Sequence, residues 1–190
     1  VRFVHDSLAQ RVRFATGAAA QALAAEVADL GASRVMVVSG RSGADVARTV
    51  CADLPVAAWH PEAAMHVPVP VAERARAVAS DVAADLLVAV GGGSATGLAK
   101  AVALTSGLPV VAVPTTYAGS EATPVWGLTE GGRKTTGTDA AVLPRTVVYD
   151  ATLTQRLPAD LTVASGLNAL AHGIDSLWAP RHDPVNAALA

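Results

Sequence analysis

A single cysteine, Cys51, is all the thiol chemistry this chain of 190 residues carries. One cysteine excludes a disulfide framework and any zinc site built from several thiolates, and it reads as a small buried hydrophobe. Net charge is almost absent too: 14 Lys and Arg against 16 Asp and Glu leave −2 at pH 7. That balance implies no basic surface for nonspecific duplex binding, so nucleic acid is not an expected partner. Charged residues make up 16% of the chain and hydrophobic ones 52%, which excludes disorder and a highly charged coiled coil. Long hydrophobic runs are missing as well. The most apolar stretch, 104–113, is short and interrupted by Gly107-Leu108-Pro109, so it cannot span a bilayer and no membrane is expected. Arg2, His5, Asp6, Gln10, Arg11 and Arg13 break every apolar run near the N-terminus. No signal-peptide core fits there, and a cytoplasmic location is the expectation.

What the chain has in excess is alanine, about a fifth of all residues, whose small methyl surface suits close helix packing. Short β-prone runs at 1–4 and 12–14 suggest a hairpin or an edge pair. A helix pattern over 18–30 places Leu23, Val27 and Leu30 on one stripe, with Gly31 as its stop. From there almost wholly apolar strands at 34–38, 56–59, 86–90 and 110–113 alternate with helix patterns at about 42–54, at 71–84, and from the 91–94 turn to about 106. Strands apolar on both faces, alternating with amphipathic helices, predict an α/β fold with a doubly wound, Rossmann-like parallel sheet. After Pro114 the texture changes. Residues 115–138 are rich in Thr, Gly and Ser without a helix period, and 146–150 closes the segment as a strand. Pro158 introduces helix patterns at 164–179 and from Asp183-Pro184 onward, the last cut off after a few residues at Ala190. The expected division is therefore an α/β domain over 1–157 and the beginning of a helical domain over 158–190, the chain being a fragment. No internal repeat and no low-complexity linker is present.

Three motifs carry chemistry. Gly91-Gly92-Gly93-Ser94 lies between an expected buried strand and a helix. Glycines there let the backbone approach a pyrophosphate, and a helix N-terminus offers free N–H groups and a positive dipole end. Gly97 is one residue off the usual dinucleotide fingerprint, so a plain strand-to-helix turn is the competing reading. Pro114-Thr115-Thr116-Tyr117-Ala118-Gly119-Ser120-Glu121 follows the next strand and presents hydroxyls at the same sheet edge, where open α/β sheets bind ligands. Ser120 lacks the G-x-S-x-G surroundings of a nucleophile elbow. Asn168 and His172 are four apart on one expected helix and project from one face. His172 has apolar sequence neighbours, as a core histidine would, but Asn168 one turn earlier favours a polar pocket. The neutral amide of Asn168 supplies no charge for a divalent ion, so a metal is not expected. At the end of the strand 34–38, Ser39 is placed to meet the adenosine ribose. No carboxylate follows until Asp45, and Arg41 is available to a 2′-phosphate, so NADH and NADPH should both be accepted.

In this order the motifs resemble the iron-containing alcohol dehydrogenase superfamily, and within it the maleylacetate reductase branch, over essentially the whole chain. Phe3-Val4-His5-Asp6-Ser7-Leu8, Met65-His66-Val67-Pro68, residues 114–121, 143–150 and 165–172 carry the resemblance to that branch. The glycine-serine turn is shared by the whole superfamily. The resemblance implies a dehydroquinate synthase-like architecture and NAD(P)H-dependent reduction of the carbon–carbon double bond of maleylacetate to 3-oxoadipate in the breakdown of aromatic compounds. It also implies cofactor contacts from Gly92, Gly93 and Ser94 at the pyrophosphate and from Thr115, Thr116 and Ser120 along the dinucleotide. Lys134 matches a position near the nicotinamide ribose and Leu153 a position that packs on the cofactor. Asn168 and His172 are then the catalytic candidates, hydrogen-bonding the keto acid while the enolate formed by hydride transfer is stabilised electrostatically. Metal-dependent relatives have Asp where this chain has Asn168 and Gly97. A metal-dependent alcohol or polyol dehydrogenase and a noncatalytic nucleotide-binding module remain the alternatives, and a homodimer is left open.

Overall fold

The computed structural model describes residues 2–180 and 182–190. In chain order they form β1 (Arg11–Phe14), α1 (Ala19–Asp29), β2 (Val35–Ser39), α2 (Ala44–Val50), β3 (Val56–His60), α3 (Val69–Asp81), β4 (Leu86–Gly91), α4 (Gly93–Ser106) and β5 (Val110–Pro114). These are followed by β6 (Val125–Glu130), β7 (Arg133–Thr138), β8 (Thr146–Tyr149), α5 (Ala159–Trp178) and α6 (Pro184–Leu189), with single 3-10 turns between some of them.

Six strands make one parallel sheet in the order β1-β8-β5-β4-β2-β3. Its central strands are Val- and Leu-rich and buried along their whole length because both faces are covered. Successive residues serve opposite layers. Val35, Val37, Val88 and Val90 pack under α1 and α2, around Leu23 and Val27. Met36, Val38, Leu87 and Ala89 pack under α3 and α4, around Leu98 and Val102. Each fully buried Val or Leu contributes ~1.5–3 kcal/mol relative to exposure. Alanines at 72, 75, 79, 99 and 103 have almost no exposed surface, which lets α3 and α4 approach each other and the sheet closely. The doubly wound α/β sheet read from the sequence is the observed fold. Strand order reverses between β2 and β4, since β2 leads outward to β3 and β4 leads the other way to β5. Open α/β sheets bind their ligands at this reversal, beyond the carboxyl ends of the strands.

Two local expectations are corrected. Val1 lies outside the described residues, and residues 2–10 form no strand. β1 instead pairs in parallel with β8, from Arg11↔Thr146 to Phe14↔Tyr149. Side-chain anchors hold this segment in place of a hairpin ladder. Gln10 Nε2 donates to the carbonyls of Glu121 (2.8 Å) and Pro144 (2.9 Å), and His5 Nδ1 lies 3.0 Å from Asp183 Oδ2. Arg11 and Arg13 donate to the buried Glu26 of α1, which also accepts from Thr146 Oγ1 at 2.6 Å. The second concerns 115–138, read only as lacking a helix period, which contains the antiparallel hairpin β6–β7. Its turn is Gly131-Gly132, with φ of 54° and 79°, the left-handed pair that a two-residue hairpin turn requires.

α5 runs for 20 residues. Its Leu167, Leu170, Ile174 and Trp178 are 49–74% exposed. No helix of the described residues is long and apolar enough to cross a membrane.

Candidate functional site

β2 and β4 are neighbours in register, with Ser39 opposite Val90, so the segment after β2 and the glycine turn after β4 stand side by side at the strand reversal. Between them lies a cleft of about 680 Å³. Its floor is the glycine turn. Gly92 precedes α4 in extended conformation and Gly93 is the first helical residue, with no side chain capping the helix. The first N–H groups of α4 thus remain open to an anion at the positive end of the helix. Space for side chains is short: a Cβ at Gly92 would lie 2.8 Å from Thr116, and one at Gly93 would lie a tight 3.3 Å from Ala118 Cβ. Gly91 adopts φ 148°, and Thr115 N–H donates to its carbonyl at 3.0 Å, stitching the hydroxyl loop to the glycine turn.

The structure gathers Gly91, Gly92, Gly93, Ser94, Thr115, Thr116 and Leu153 around this cleft. Ser120 and Lys134 join Gly93 and Ser94 in an adjoining chamber of about 390 Å³ beneath the β6–β7 hairpin. Ser120 Oγ is buried and has no partner among the described residues, so a ligand oxygen there would satisfy it. Ser39 is placed differently from expectation. It is only 3% exposed and its carbonyl accepts from Ala63 N–H at 3.0 Å, while Gly40, Ser42 and Asp45 form the cleft wall. Asn168 and His172 are exposed on α5 and line neither space.

Sequence reasoning passed over Lys100. Its side chain is 1% exposed, and its ammonium donates to the carbonyls of Ser120 (2.5 Å), Thr123 (2.6 Å) and Val125 (2.9 Å). The cation therefore pins the loop that carries Ser120 to α4. Burial brings its pKa down to about 8, against the raising influence of Glu121. A lysine among Leu98, Ala99, Ala101 and Val102 in an apolar helix was the available signal. Val67 was missed for a different reason. A Cβ at Gly97 would come within 2.9 Å of Val67 Cγ2, a close approach invisible along the chain. Glu121 is likewise buried, accepting from Tyr149 Oη at 3.1 Å, and burial together with that carboxylate raises the Tyr149 pKa. Among the described residues no three His, Cys, Asp or Glu side chains are grouped as metal ligands.

The iron-containing alcohol dehydrogenase family pattern matches residues 9–151. A maleylacetate reductase of Burkholderia cepacia is 48% identical over 190 residues, covering 99% of this chain and 54% of the relative. The chain spans about half the length of the curated relatives it matches. The crystal structure of an iron-containing alcohol dehydrogenase from Corynebacterium glutamicum superposes with a TM-score of 0.97 at 58% identity, covering 100% of this chain and 53% of that one. That of maleylacetate reductase from Agrobacterium tumefaciens gives 0.95 at 40% identity, covering 100% and 54%. With a parallel sheet of this order, an uncapped glycine turn at its reversal and a family match across most of its length, the chain belongs to the iron-containing alcohol dehydrogenase family.

Proposed function

We propose that this chain is the nucleotide-binding part of an NAD(P)H-dependent oxidoreductase that reduces maleylacetate to 3-oxoadipate. Per turnover the alkene gains one hydride and one proton, and NAD(P)H becomes NAD(P)+. The observation that carries the cofactor assignment is the uncapped N-terminus of α4, bare of Cβ atoms at the strand reversal. The substrate assignment is supported by relatives named maleylacetate reductase at 45–50% identity.

In this reading Gly92, Gly93 and Ser94 hold the pyrophosphate with backbone and helix-end N–H groups. Thr115, Thr116 and Ser120 offer hydroxyls along the dinucleotide, Leu153 packs against it, and Lys134 meets the nicotinamide ribose. The bound dinucleotide supplies the hydride. Asn168 and His172, one turn apart on α5, hydrogen-bond the keto acid and stabilise the negative charge that develops on its oxygen. Asn168 cannot contribute charge to a metal, so the reaction is assigned no metal. The α/β unit ends near 157, and 158–190 open a second, helical unit whose apolar α5 face needs a covering partner. A cytoplasmic homodimer belongs to the same reading.

Incubating a full-length protein that contains this chain with maleylacetate and NADH tests it. The expected outcome is stoichiometric NADH oxidation with 3-oxoadipate detected by mass spectrometry, unchanged after exhaustive chelation. Activity lost on chelation and restored by iron or zinc would establish a metal-dependent enzyme instead.

A further inference from the structure

Beside the phosphate turn, the chamber of about 390 Å³ has an unusual wall. Its basic side chains are His66, Lys100 and Lys134, and no Asp or Glu lines it. The Lys100 ammonium is consumed by three loop carbonyls and acts there as a fixed positive charge. His66 is different. The residue is exposed, lines the chamber and makes no side-chain hydrogen bond among the described residues, although its backbone is tightly held.

That backbone is also strained. His66 and Val67 have φ of 63° and 46°, the left-handed region, in which a β-branched residue is a true outlier. Strain of this kind persists only where the surroundings over-determine it. Here three contacts do so. Thr129 Oγ1 donates to the His66 carbonyl at 2.8 Å, Thr129 N–H donates to the Val67 carbonyl at 3.0 Å, and Pro68 bridges to Thr129. From the other side Val67, 5% exposed, seats on Gly97, where a Cβ would lie only 2.9 Å away. The β6–β7 hairpin and Gly97 of α4 together fix the backbone that carries His66 at the chamber wall.

We propose that His66 is a substrate-binding residue that pairs with a carboxylate of the dicarboxylate substrate. The inference rests on the reductase reading above. A chamber with three basic groups and no acid favours a dianion over a neutral alcohol or aldehyde. An imidazole held on a clamped backbone gives one carboxylate a directed, charge-assisted donor at little ordering cost.

The test is steady-state kinetics on the intact protein carrying His66→Asn. Asn tolerates the left-handed conformation, so the loop is kept while the titratable donor is lost. The KM for maleylacetate should rise about tenfold or more, with the KM for NADH and kcat both within about twofold. Wild type should prefer maleylacetate to a monocarboxylate enone analogue by a similar factor, and the variant should lose that preference. Thr129→Val, which removes the side-chain bond to the His66 carbonyl and leaves the imidazole in place, should also raise the KM for maleylacetate. An active wild type whose KM and analogue preference survive His66→Asn overturns this inference and leaves the reductase reading standing. A wild type that turns over no maleylacetate overturns both.

Discussion

His60 and Lys100 show two ways a polar side chain is accommodated inside this fold. Lys100 finds three carbonyls, which offset much of the cost of burying an ammonium. His60, at the end of β3, is 5% exposed and its Nε2 has no partner among the described residues. Burial lowers its pKa from the ordinary 6.5, with Glu62 opposing and Arg74 reinforcing the shift. The unfolded chain therefore takes up a proton near pH 6.5 that the folded chain refuses. His60 costs no stability above that pH, and stability falls as pH drops below it toward the folded value. Urea unfolding at pH 7.5 and 5.5 should show a loss for wild type that is smaller in His60→Gln. Equal losses would mean that other groups carry the pH dependence.

At the scale of elements, α4 joins the fold to the site. Its apolar residues Leu98, Ala99, Val102 and Ala103 are buried against the sheet and α3, and Gly107, at φ 69°, ends it in the left-handed conformation. Its N-terminus remains uncapped, as a ligand site requires. Gly93→Val puts a branched side chain where Ala118 Cβ is already 3.3 Å from an ideal Cβ and where a pyrophosphate must approach. NADH affinity measured by titration should fall by about 2–4 kcal/mol, the loss of a set of charge-assisted hydrogen bonds. An intact far-UV spectrum would show that folding is not the cause. Unchanged affinity would move the phosphate site elsewhere. The helix itself was legible because its glycine turn and Gly107 bracket an apolar run. The β6–β7 hairpin was not read, although Gly131-Gly132 carries the turn signal, because Thr-rich strands such as β7 lack an apolar alternation.

For the whole molecule, cofactor choice depends on how separate segments meet at the strand reversal. Ser39 is buried, Arg41 is exposed away from the cleft wall, and Asp45 on α2 supplies the carboxylate that does line the wall. Asp45 is exposed, so its repulsion of a 2′-phosphate is screened by salt. NADH and NADPH should be accepted with kcat/KM values less than about a hundredfold apart. Asp45→Asn should shift the ratio toward NADPH by about threefold to tenfold. A wild-type preference for NADH beyond a hundredfold, or a ratio unmoved in the variant, would locate the discrimination in another group.

The sequence by itself determined the layered α/β order, because unbroken Val and Leu runs are stable only where both faces of a strand are covered. It also determined the glycine turn that opens α4, because three consecutive glycines before a helix are local chemistry. What only the tertiary structure decided is everything that depends on long-range contact. Gln10 reaching Glu121 and Pro144, and Arg11 and Arg13 reaching Glu26, make β1 a parallel edge of the sheet instead of half a hairpin. Lys100 beneath the 120–125 loop, Val67 on Gly97 and His66 held by Thr129 over a basic chamber join segments 20–63 residues apart. Periodicity reports which face of an element is buried. Which neighbour fills that face, and which backbone is strained to do so, is set by packing.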